Sequence, residues 1–396
     1  MKTAGPAATG DSGEEAVKVV HAGQEPPEQW DASVFLAGPT PRRDDVQSWR
    51  PAALAEIRTQ WGDAGELVVF VPEPPDGARY PSYDDQIAWE ERWLDAADVI
   101  LFWVPREMAT LPGLTTNIEF GRYESSGRVV LGAPENAQHV KYMQHHARQH
   151  GAQVTGTLPE TIKATLEMIG EGARRQGGER HVPLLAWRMP TLRHWLATQR
   201  AAGNALLDGK LLWVHRKFLW AYHARLAVTA ENRVKHNEIV LGRPDVVSIV
   251  AYRKGETPGQ NEVVLVREFR SPSCAPDGYV HELPGGGVLQ GEPIDQAAHE
   301  LHEETGLRVA RERLVPGQVR QVLATLSTHR VHVFTVELTE DELAGVRANP
   351  GPFGVLEDSE RTFVEVRTYS EILGSGDVDW AVVGVLASVF TAGPGP

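Results

Sequence analysis

The stretch Gly285–Leu307, GGGVLQGEPIDQAAHELHEETGL, decides the fold of the C-terminal half of the chain. Three glycines open it, and they permit a tight turn that larger residues would obstruct. Pro293 suits the first turn of a helix, and Gly306 suits the position just after the last turn. The stretch therefore predicts a glycine loop followed by a helix that ends at Gly306.

Three carboxylates, those of Glu300, Glu303 and Glu304, fall within one turn of the predicted helix. Like charges at this spacing repel each other, so a sequence keeps them mainly where something positive neutralises them. Hard carboxylate oxygens at this density suit Mg²⁺ or Mn²⁺, and the alternative is a solvated acidic face. We expect all three to be metal ligands, with Glu300 and Glu304 first because residues at i and i+4 share a face.

The loop and the helix together resemble the Nudix box, in which a glycine loop precedes a helix of the pattern R-E-U-x-E-E-x-G-U, where U is apolar. The places of the box are filled by Gly286, Glu292, Glu300, Leu301, Glu303, Glu304, Gly306 and Leu307. Two departures are visible: the box is one residue short before the helix, and His299 stands where the family has Arg. The resemblance implies an α+β Nudix fold with a mixed sheet that hydrolyses a nucleoside diphosphate linked to another group.

The segments REFR and ELPGGG, which precede the box, resemble the ADP-ribose pyrophosphatase branch of that family. This resemblance implies that Arg270 and Glu282 lie near the nucleotide, and the alternative is a structural Arg–Glu pair. Related pyrophosphatases use a loop glutamate as general base. Glu357 is the first candidate here and Glu360 the second, against a plain solvated loop, and Glu303 is also assigned to catalysis.

Composition limits the classes of protein to which the chain can belong. Its 396 residues suit two or three domains, and no run of eighteen apolar residues exists that could span a membrane. The net charge of −14 argues against a nucleic acid as the main partner. The single Cys274 fits a cytoplasmic location, and residues 1–31 are expected to form a disordered leader without a signal peptide.

Buried strands and helices alternate along the N-terminal part of the chain. Apolar runs at 33–38, 67–71, 99–104 and 128–132 show no polar alternation, and helical spacing separates them. This pattern predicts an α/β class domain with a doubly wound parallel sheet. Ligands of such sheets bind at the carboxyl ends of the strands.

Polar side chains follow these strands. The loops after the first and third strands carry Thr40, Arg42, Arg43, Arg106, Asn117 and Glu119. We expect these residues to line a binding site. For Glu119 the alternative is a carboxylate that stabilises the amino end of a helix.

The segments FLAGPTPR, SWR, FVPEP, YDDQIAWE, ADVILFWVPR and TTNIEFG, in this order, resemble the nucleoside 2-deoxyribosyltransferase-like family over about residues 33–168. Members break the N-glycosidic bond of nucleosides or nucleotides, and a glutamate at the place of Glu119 attacks the anomeric carbon. The resemblance makes Asp84, Asp85 and Asp98 candidates to orient the ribose or protonate the base, although Asp98 can equally be a helix or strand cap. Substrate-binding roles, including contacts to a 5′-phosphate, are expected for Thr40, Arg42, Arg43, Arg106 and Asn117.

These patterns predict a leader at 1–31, a deoxyribosyltransferase-like domain at 32–170, a helical linker at 171–210 and a Nudix domain at 211–396. The leading hypothesis is a bifunctional enzyme of nucleotide metabolism, with Mg²⁺ or Mn²⁺ as cofactor and a homodimeric assembly. A nucleotide sensor with weakened catalysis and a tailoring enzyme for a nucleoside natural product are the alternatives.

Overall fold

The computed structural model describes residues 16–391, except 44, 63, 76–81, 216–217 and 355–360. The chain divides into two compact units, Met1–Leu241 and Gly242–Pro396, which we call unit 1 and unit 2. Each unit is described by itself.

Unit 1 contains the following strands: β1 (Val17–His21), β2 (Gln29–Trp30), β3 (Ala32–Ala37), β4 (Leu67–Val71), β5 (Val99–Trp103), β6 (Val129–Gly132), β7 (Gln153–Thr155), β8 (Arg175–Gln176), β9 (Ala205–His215), β10 (Leu219–Val228) and β11 (Arg233–Gly242). Its helices are α1 (Arg50–Trp61), α2 (Tyr83–Ala96), α3 (Leu114–Tyr123), α4 (Lys141–Gln149), α5 (Leu158–Ile169), α6 (Leu184–Trp187) and α7 (Pro190–Ala201).

A six-stranded sheet with the order β1-β4-β3-β5-β6-β7 forms the centre of unit 1. All of its pairs are parallel. Strands β3 to β7 follow the flavodoxin-like order 2-1-3-4-5, and β1 adds one strand at the edge. The predicted doubly wound parallel sheet is therefore confirmed. The order reverses between β3 and β5, and this is the point at which such sheets bind their ligands.

The central strands are buried on both faces. Every residue of β3, β4 and β5 is buried, and one apolar cluster covers each side of the sheet. Phe35 and Phe70 belong to one cluster, whereas Val34 and Val69 belong to the other. This two-sided burial explains why the strands read as unbroken apolar runs.

The structure corrects the expected leader and linker. Residues 17–21 form β1, which pairs in parallel with β4 and buries Val17 and Val20. The two valines lie three residues apart in a lysine-containing segment, so neither a strand alternation nor an apolar run is visible there. The expected linker also belongs to unit 1, because β8 pairs with β2 and Leu184 lies in the core of the main sheet.

A three-stranded sheet, β11-β10-β9, in which β9 and β10 are antiparallel, completes unit 1. Trp220 and Tyr222 of β10 pack with Leu192 and Trp195 of α7 in a separate core. The contacts therefore end unit 1 at Leu241, whereas the sequence led us to expect a boundary before residue 211.

Unit 2 contains the strands β12 (Val246–Arg253), β13 (Glu262–Phe269), β14 (Tyr279–Glu282), β15 (Val315–Gln321), β16 (Arg330–Glu337) and β17 (Thr362–Thr368). Its helices are α8 (Pro293–Thr305), α9 (Glu340–Ala348), α10 (Tyr369–Gly374) and α11 (Trp380–Phe390).

The sheet of unit 2 is mixed, as predicted. Its order is β14-β13-β12-β16-β15, and β17 pairs with β13. Strands β12 and β16 are parallel, whereas the remaining pairs are antiparallel. Helix α8 packs Ala297 and Leu301 on one face of the sheet, and α10 and α11 cover the other face with Ile372 and Leu386. Helix α8 contacts β12, β16 and β17, so it lies over the middle of the sheet.

Helix α8 has the ends that the sequence predicts. Pro293 occupies its first turn, and Gly306 follows its last turn with a left-handed φ of 72°. The glycine loop before it lies against β12, where Val247 N donates to the Gly286 carbonyl at 2.9 Å. A side chain at Gly285 would place its Cβ 2.1 Å from the Val247 carbonyl oxygen, so only glycine permits this approach.

Candidate functional site

A cavity of about 500 Å³ opens in unit 1 beside the carboxyl end of β3, and this volume is ordinary for a small-molecule site. The loop after β3 contributes Thr40 and Arg42, α2 contributes Glu90, and α3 contributes Glu119. The cavity therefore lies where the sheet order reverses, as expected for a doubly wound sheet.

The carboxyl of Glu119 in this cavity has a strongly raised pKa. Burial, and to a smaller extent the charge of Glu90, raise its pKa to about 7 against the opposing effect of the Arg50 guanidinium. Burial also raises the pKa of Glu90, while Gln86 and Arg50 lower it. Two carboxyl groups with raised pKa values thus share one cleft, which is the arrangement that lets one carboxyl act as an acid and the other as a base or nucleophile.

Arg50 is a buried arginine that fixes the wall of the cavity. Its guanidinium forms an ion pair with Glu73 and donates to the carbonyls of Leu36 (3.1 Å) and Gly38 (2.8 Å) and to Thr40 Oγ1 (3.1 Å). Arg50 therefore holds the loop after β3 at several points, and its charge also reaches Glu119.

Among the predicted phosphate ligands of unit 1, Arg42 lines the cavity and is exposed. Within the described residues Arg42 forms no ion pair. Arg43 is also exposed but forms an ion pair with Asp45 at 2.5 Å. Arg106 is buried and does not line the cavity; it donates to Asn117 Oδ1 at 2.6 Å and to the His139 carbonyl at 3.0 Å. Arg106 and Asn117 thus hold the start of α3 together.

The predicted acidic partners of Glu119 lie elsewhere. Asp84 and Asp85 are exposed in the first turn of α2 and do not line the cavity. On the same helix, Gln86 and Glu90 line the cavity instead. The two aspartates begin the helix, whereas Glu90 lies one turn beyond Gln86 on the face that α2 turns toward α3.

Asp98 lies at the amino end of β5, opposite the end that binds ligands. Its carboxylate accepts two hydrogen bonds of 2.6 Å from the Arg175 guanidinium. It also accepts from Ser33 N at 2.7 Å and from Leu184 N at 2.7 Å. A buried carboxylate whose oxygens accept all of these hydrogen bonds has a structural role. The position of Asp98 therefore fits the interpretation as a cap and does not fit a contact with ribose.

Large apolar side chains surround the mouth of the cavity. Tyr83 (67% exposed), Leu114 (55% exposed) and Ile118 (74% exposed) all line it, and so does Ile87. Exposed apolar groups gathered at one opening mark a ligand-binding surface. Their faces suit a flat aromatic group such as a nucleobase.

In unit 2 the carboxylate of Glu304 lies beneath the glycine loop. It is buried, and Gly285 N donates to its Oε2 at 2.9 Å. Burial, together with the charges of Glu300, Glu282 and Glu268, raises the pKa of Glu304 to about 9 against the effect of that hydrogen bond. The site therefore gathers several carboxyl groups around a buried one.

Glu300 also lies under the loop. Gln296 Nε2 donates to its Oε1 at 2.7 Å, and a Cβ on Gly286 would lie 2.0 Å from the same oxygen. Glycine at 286 is therefore required for this carboxylate to occupy its place. Glu300 and Glu304, the pair predicted to share a face, are both brought to the loop.

Arg270 contacts two carboxylates at the edge of this cluster. Its Nη2 lies 2.7 Å from Glu268 Oε2, and its Nε lies 3.9 Å from Glu282 Oε1. The closer partner, Glu268, is buried on β13. Arg270 thus lies near Glu282, as in the Arg–Glu pair named from the sequence, and also pairs with Glu268.

The donor set around Glu304 fits a hard divalent cation, because it consists of carboxylate oxygens. The α8 glutamates do not close into a compact three-donor group within the described residues. Mg²⁺ is commonly held by one or two carboxylates together with water and substrate phosphates, so a closed cage is not needed.

Glu303, the remaining glutamate of the predicted metal set, contacts a histidine of its own helix. Its Oε2 is 3.4 Å from His299 Nδ1, so the residue that replaces the expected Arg still contacts a glutamate of the box. Glu357 and Glu360, the two candidate bases, lie outside the described residues. Their roles, like that of Glu303, stay predictions.

Three residues of these sites were not singled out from the sequence: Arg50, Glu90 and Glu268. Each stands inside a segment that had been quoted, namely SWR, YDDQIAWE and REFR. The helical spacing of Gln86 and Glu90 was the available signal for one of them. No spacing connects Arg50 with Glu73, because only the parallel packing of β3 and β4 brings them together.

Two family models match the chain. The model described as "Nucleoside 2-deoxyribosyltransferase like" matches residues 31–137, and the model described as "NUDIX domain" matches residues 242–369. No curated protein shows a match to the chain. The second match begins at the first residue of unit 2. None of the helices in the described residues is both long and apolar enough to cross a membrane.

Proposed function

The chain joins a nucleoside 2-deoxyribosyltransferase-like domain to a NUDIX domain, and from this premise we propose a bifunctional enzyme of nucleotide metabolism. Both domains are of enzymatic families, and NUDIX domains hydrolyse nucleoside diphosphates linked to a further group, generally with divalent metal ions such as Mg²⁺. The proposal adds that unit 1 cleaves an N-glycosidic bond and that unit 2 uses Mg²⁺ or Mn²⁺ on an ADP-ribose-like substrate.

The observation that carries the proposal for unit 1 is the position of Glu119. Its carboxyl lies in a cavity of about 500 Å³, beside a second carboxyl and below an apolar rim. A nucleobase on the rim would bring the attached ribose toward the carboxyls. Arg42 at the mouth supplies positive charge for a 5′-phosphate.

The chemistry assigned to Glu119 is attack on the anomeric carbon. The ionised carboxylate forms a bond to that carbon, and the bond to the base nitrogen breaks with its electron pair moving to the base. The protonated carboxyl of Glu90 donates a proton to the departing base. Water then breaks the glycosyl–enzyme bond and restores both carboxyls, or a second base takes the place of water and the reaction becomes a transfer.

In unit 2, Glu300 and Glu304 would hold the cation at the glycine loop, and Arg270 would contact the nucleotide. When bound, a divalent cation neutralises the diphosphate and lowers the pKa of the attacking water. The chain itself orients the buried carboxyl of Glu304 through the amide of Gly285. Glu303 and Glu357 are the proposed participants in proton transfer.

The two reactions would be consecutive steps carried out by one polypeptide. Release of a base such as nicotinamide from a dinucleotide leaves an ADP-ribose-like product, which is the class of substrate proposed for unit 2. The motivation is the presence of both domains on the chain. We also propose a homodimer and a cytoplasmic location, which the exposed Cys274 fits because it forms no disulfide.

Product analysis tests this proposal. Purified protein is incubated with Mg²⁺ and either NAD or ADP-ribose, and bases and nucleotides are separated by chromatography. We expect base release that is lost in Glu119→Gln and AMP formation that is lost in Glu304→Gln. Absence of both products with the wild-type protein overturns the proposal for these substrates.

A nucleotide sensor is the second candidate, and the shortened box with His299 in place of Arg motivates it. Glu303→Gln and Glu304→Gln variants separate the two candidates. A sensor binds ADP-ribose in calorimetry while wild type and variants share the same negligible turnover. An enzyme loses turnover in the variants.

A further inference from the structure

Outside both proposed sites, unit 1 gathers two imidazoles and a carboxylate at one place. His146 lies on α4, His150 follows the last residue of that helix, and Glu124 follows the last residue of α3. One donor atom from each side chain lies within 4.8 Å of the other two. Within the described residues this is the one group of three such side chains that is so compact.

The distances suit a bound ion. His146 Nδ1 lies 3.1 Å from Glu124 Oε1, and His150 Nε2 lies 3.7 Å from the same oxygen. Ligands held about 2.1 Å from a tetrahedral Zn²⁺ lie about 3.4 Å from each other. The two measured separations lie on either side of that value, so small rotations of the side chains would place all three donors around one cation.

The backbone holds these donors before any ion binds. Glu124 N donates to the Phe120 carbonyl at 2.8 Å, and His150 N donates to the His146 carbonyl at 3.0 Å. The two histidines stand at i and i+4, so they project from the same side of the helix. The ligands therefore come from two helix ends whose main chains are both fixed by hydrogen bonds.

Charge and access also favour a cation. Within the described residues, the ion-pair partners of Glu124 are these two imidazoles, and no lysine or arginine neutralises it. The three side chains are between 18% and 32% exposed, which leaves a path from solvent. Two imidazoles with one carboxylate match a borderline divalent transition metal better than Mg²⁺ or Ca²⁺.

We propose that Glu124, His146 and His150 form a binding site for a divalent transition metal ion, with Zn²⁺ as its representative, distinct from the carboxylate site of unit 2. Three protein ligands leave the fourth position of a tetrahedral ion to water. The ion would tie the end of α3, the helix that carries Glu119, to the end of α4.

Metal content of the untagged full-length protein tests the proposal. The chelator-treated protein is dialysed against micromolar Zn²⁺ with millimolar Mg²⁺, which occupies the carboxylate site, and bound zinc is measured by mass spectrometry. We expect the wild type to hold one equivalent of Zn²⁺ more than the His146→Gln/His150→Gln variant. His145→Gln is the matched control, because His145 is the exposed neighbour on the same helix and lies outside the cluster.

Two further readouts keep the test decisive if the double variant folds poorly. Zn²⁺ should raise the Tm of the wild type and of His145→Gln but not of the single variant His150→Gln, whose metal-free circular dichroism should match the wild type. Co²⁺ should give visible absorption bands of a four- or five-coordinate ion in the same two proteins. Equal zinc content in all variants, or no zinc in the wild type, overturns the proposal and leaves a hydrogen-bonded His–Glu group.

Discussion

The raised pKa of Glu119 makes both its chemistry and its contribution to folding depend on pH. In the folded protein this pKa is about 7, against 4.5 for an ordinary glutamate. The unfolded chain therefore releases the proton more readily between these values. The contribution of Glu119 to stability is fully present below pH 4.5 and is lost as the pH rises through 7.

Replacement of the Glu119 carboxyl by an amide, which cannot ionise, should remove this loss of stability at high pH. We expect Glu119→Gln to be more stable than wild type at pH 8 by about 1–3 kcal/mol and nearly equal to it at pH 4.5. Calorimetric unfolding at both pH values measures the difference, and the surface variant Glu167→Gln is the control. A stability difference that does not change with pH would contradict the assignment. Base release by the wild type should rise with pH as Glu119, with its pKa of about 7, ionises, and should fall again as Glu90, the proton donor, loses its proton.

His299 offers a second test at the level of a single residue. Its imidazole contacts Glu303 at 3.4 Å, but only the protonated ring carries the charge that an arginine would supply at every pH. We expect His299→Arg to increase diphosphate hydrolysis at neutral pH. The increase should be only about 2–5-fold, because a partly exposed ion pair contributes little free energy. Steady-state kinetics with varied Mn²⁺ measure the effect. His302→Arg, an exposed substitution on the same helix, should leave the rate unchanged.

At the scale of elements, the glycine loop and α8 act together in unit 2. A methyl group at residue 286 would lie 2.0 Å from Glu300 Oε1, whereas a methyl group at residue 287 would meet no atom within 4 Å. We therefore expect Gly286→Ala to displace Glu300 and to lower hydrolysis about 10–100-fold, as changes beside metal ligands commonly do. Gly287→Ala is the matched control and should retain the wild-type rate. Similar rates for both variants, measured with saturating Mg²⁺, would show that Glu300 does not hold the cation.

The sequence predicts well those strands and helices whose burial produces a recognisable pattern of apolar residues. Strands β3, β4 and β5 are buried on both faces, so their apolar runs are unbroken and their positions follow from composition. Strand β15 was missed because all of its residues are exposed, and VPGQVRQ shows no alternation. Strand β1 was missed because its local sequence shows no strand pattern. It is a strand because it pairs with β4, some fifty residues away in the chain.

The site residues also divide into those that a local sequence pattern marks and those that depend on tertiary packing. Glu119 was predicted because it lies in a short motif at the start of a helix, whereas the contact of Arg50 with Glu73 depends on packing that no local pattern encodes. Asp98 was given a role in the site although it precedes β5, and residues before a parallel strand lie at the end opposite the ligand. Position relative to the strand, and not proximity to a motif, would have assigned it correctly.

At the scale of the whole molecule, each unit has its own cores and its own carboxylates. The clusters that support the main sheet of unit 1 contain no residue of unit 2, and the clusters of unit 2 contain none of unit 1. Mutations at sites without shared partners have additive effects.

We therefore expect the two activities to be separable in the intact chain. Glu119→Gln should abolish base release and leave hydrolysis of ADP-ribose unchanged, and Glu304→Gln should do the reverse. The double variant should lose both activities, and its free energy of unfolding should equal the sum of the single effects within about 0.5 kcal/mol. Loss of both activities in either single variant would mean that the reactions depend on one shared site.

The ion pair between Asp98 and Arg175 limits where this polypeptide can be shortened for expression. A fragment that stops at residue 170, or at the end of the 31–137 match, keeps the aspartate inside the sheet and discards its counterion. Removing one partner of a buried pair costs about 3–5 kcal/mol, which is a large part of the stability of a domain. Such fragments should accumulate as insoluble material, and a fragment ending at Leu241 should remain in the supernatant.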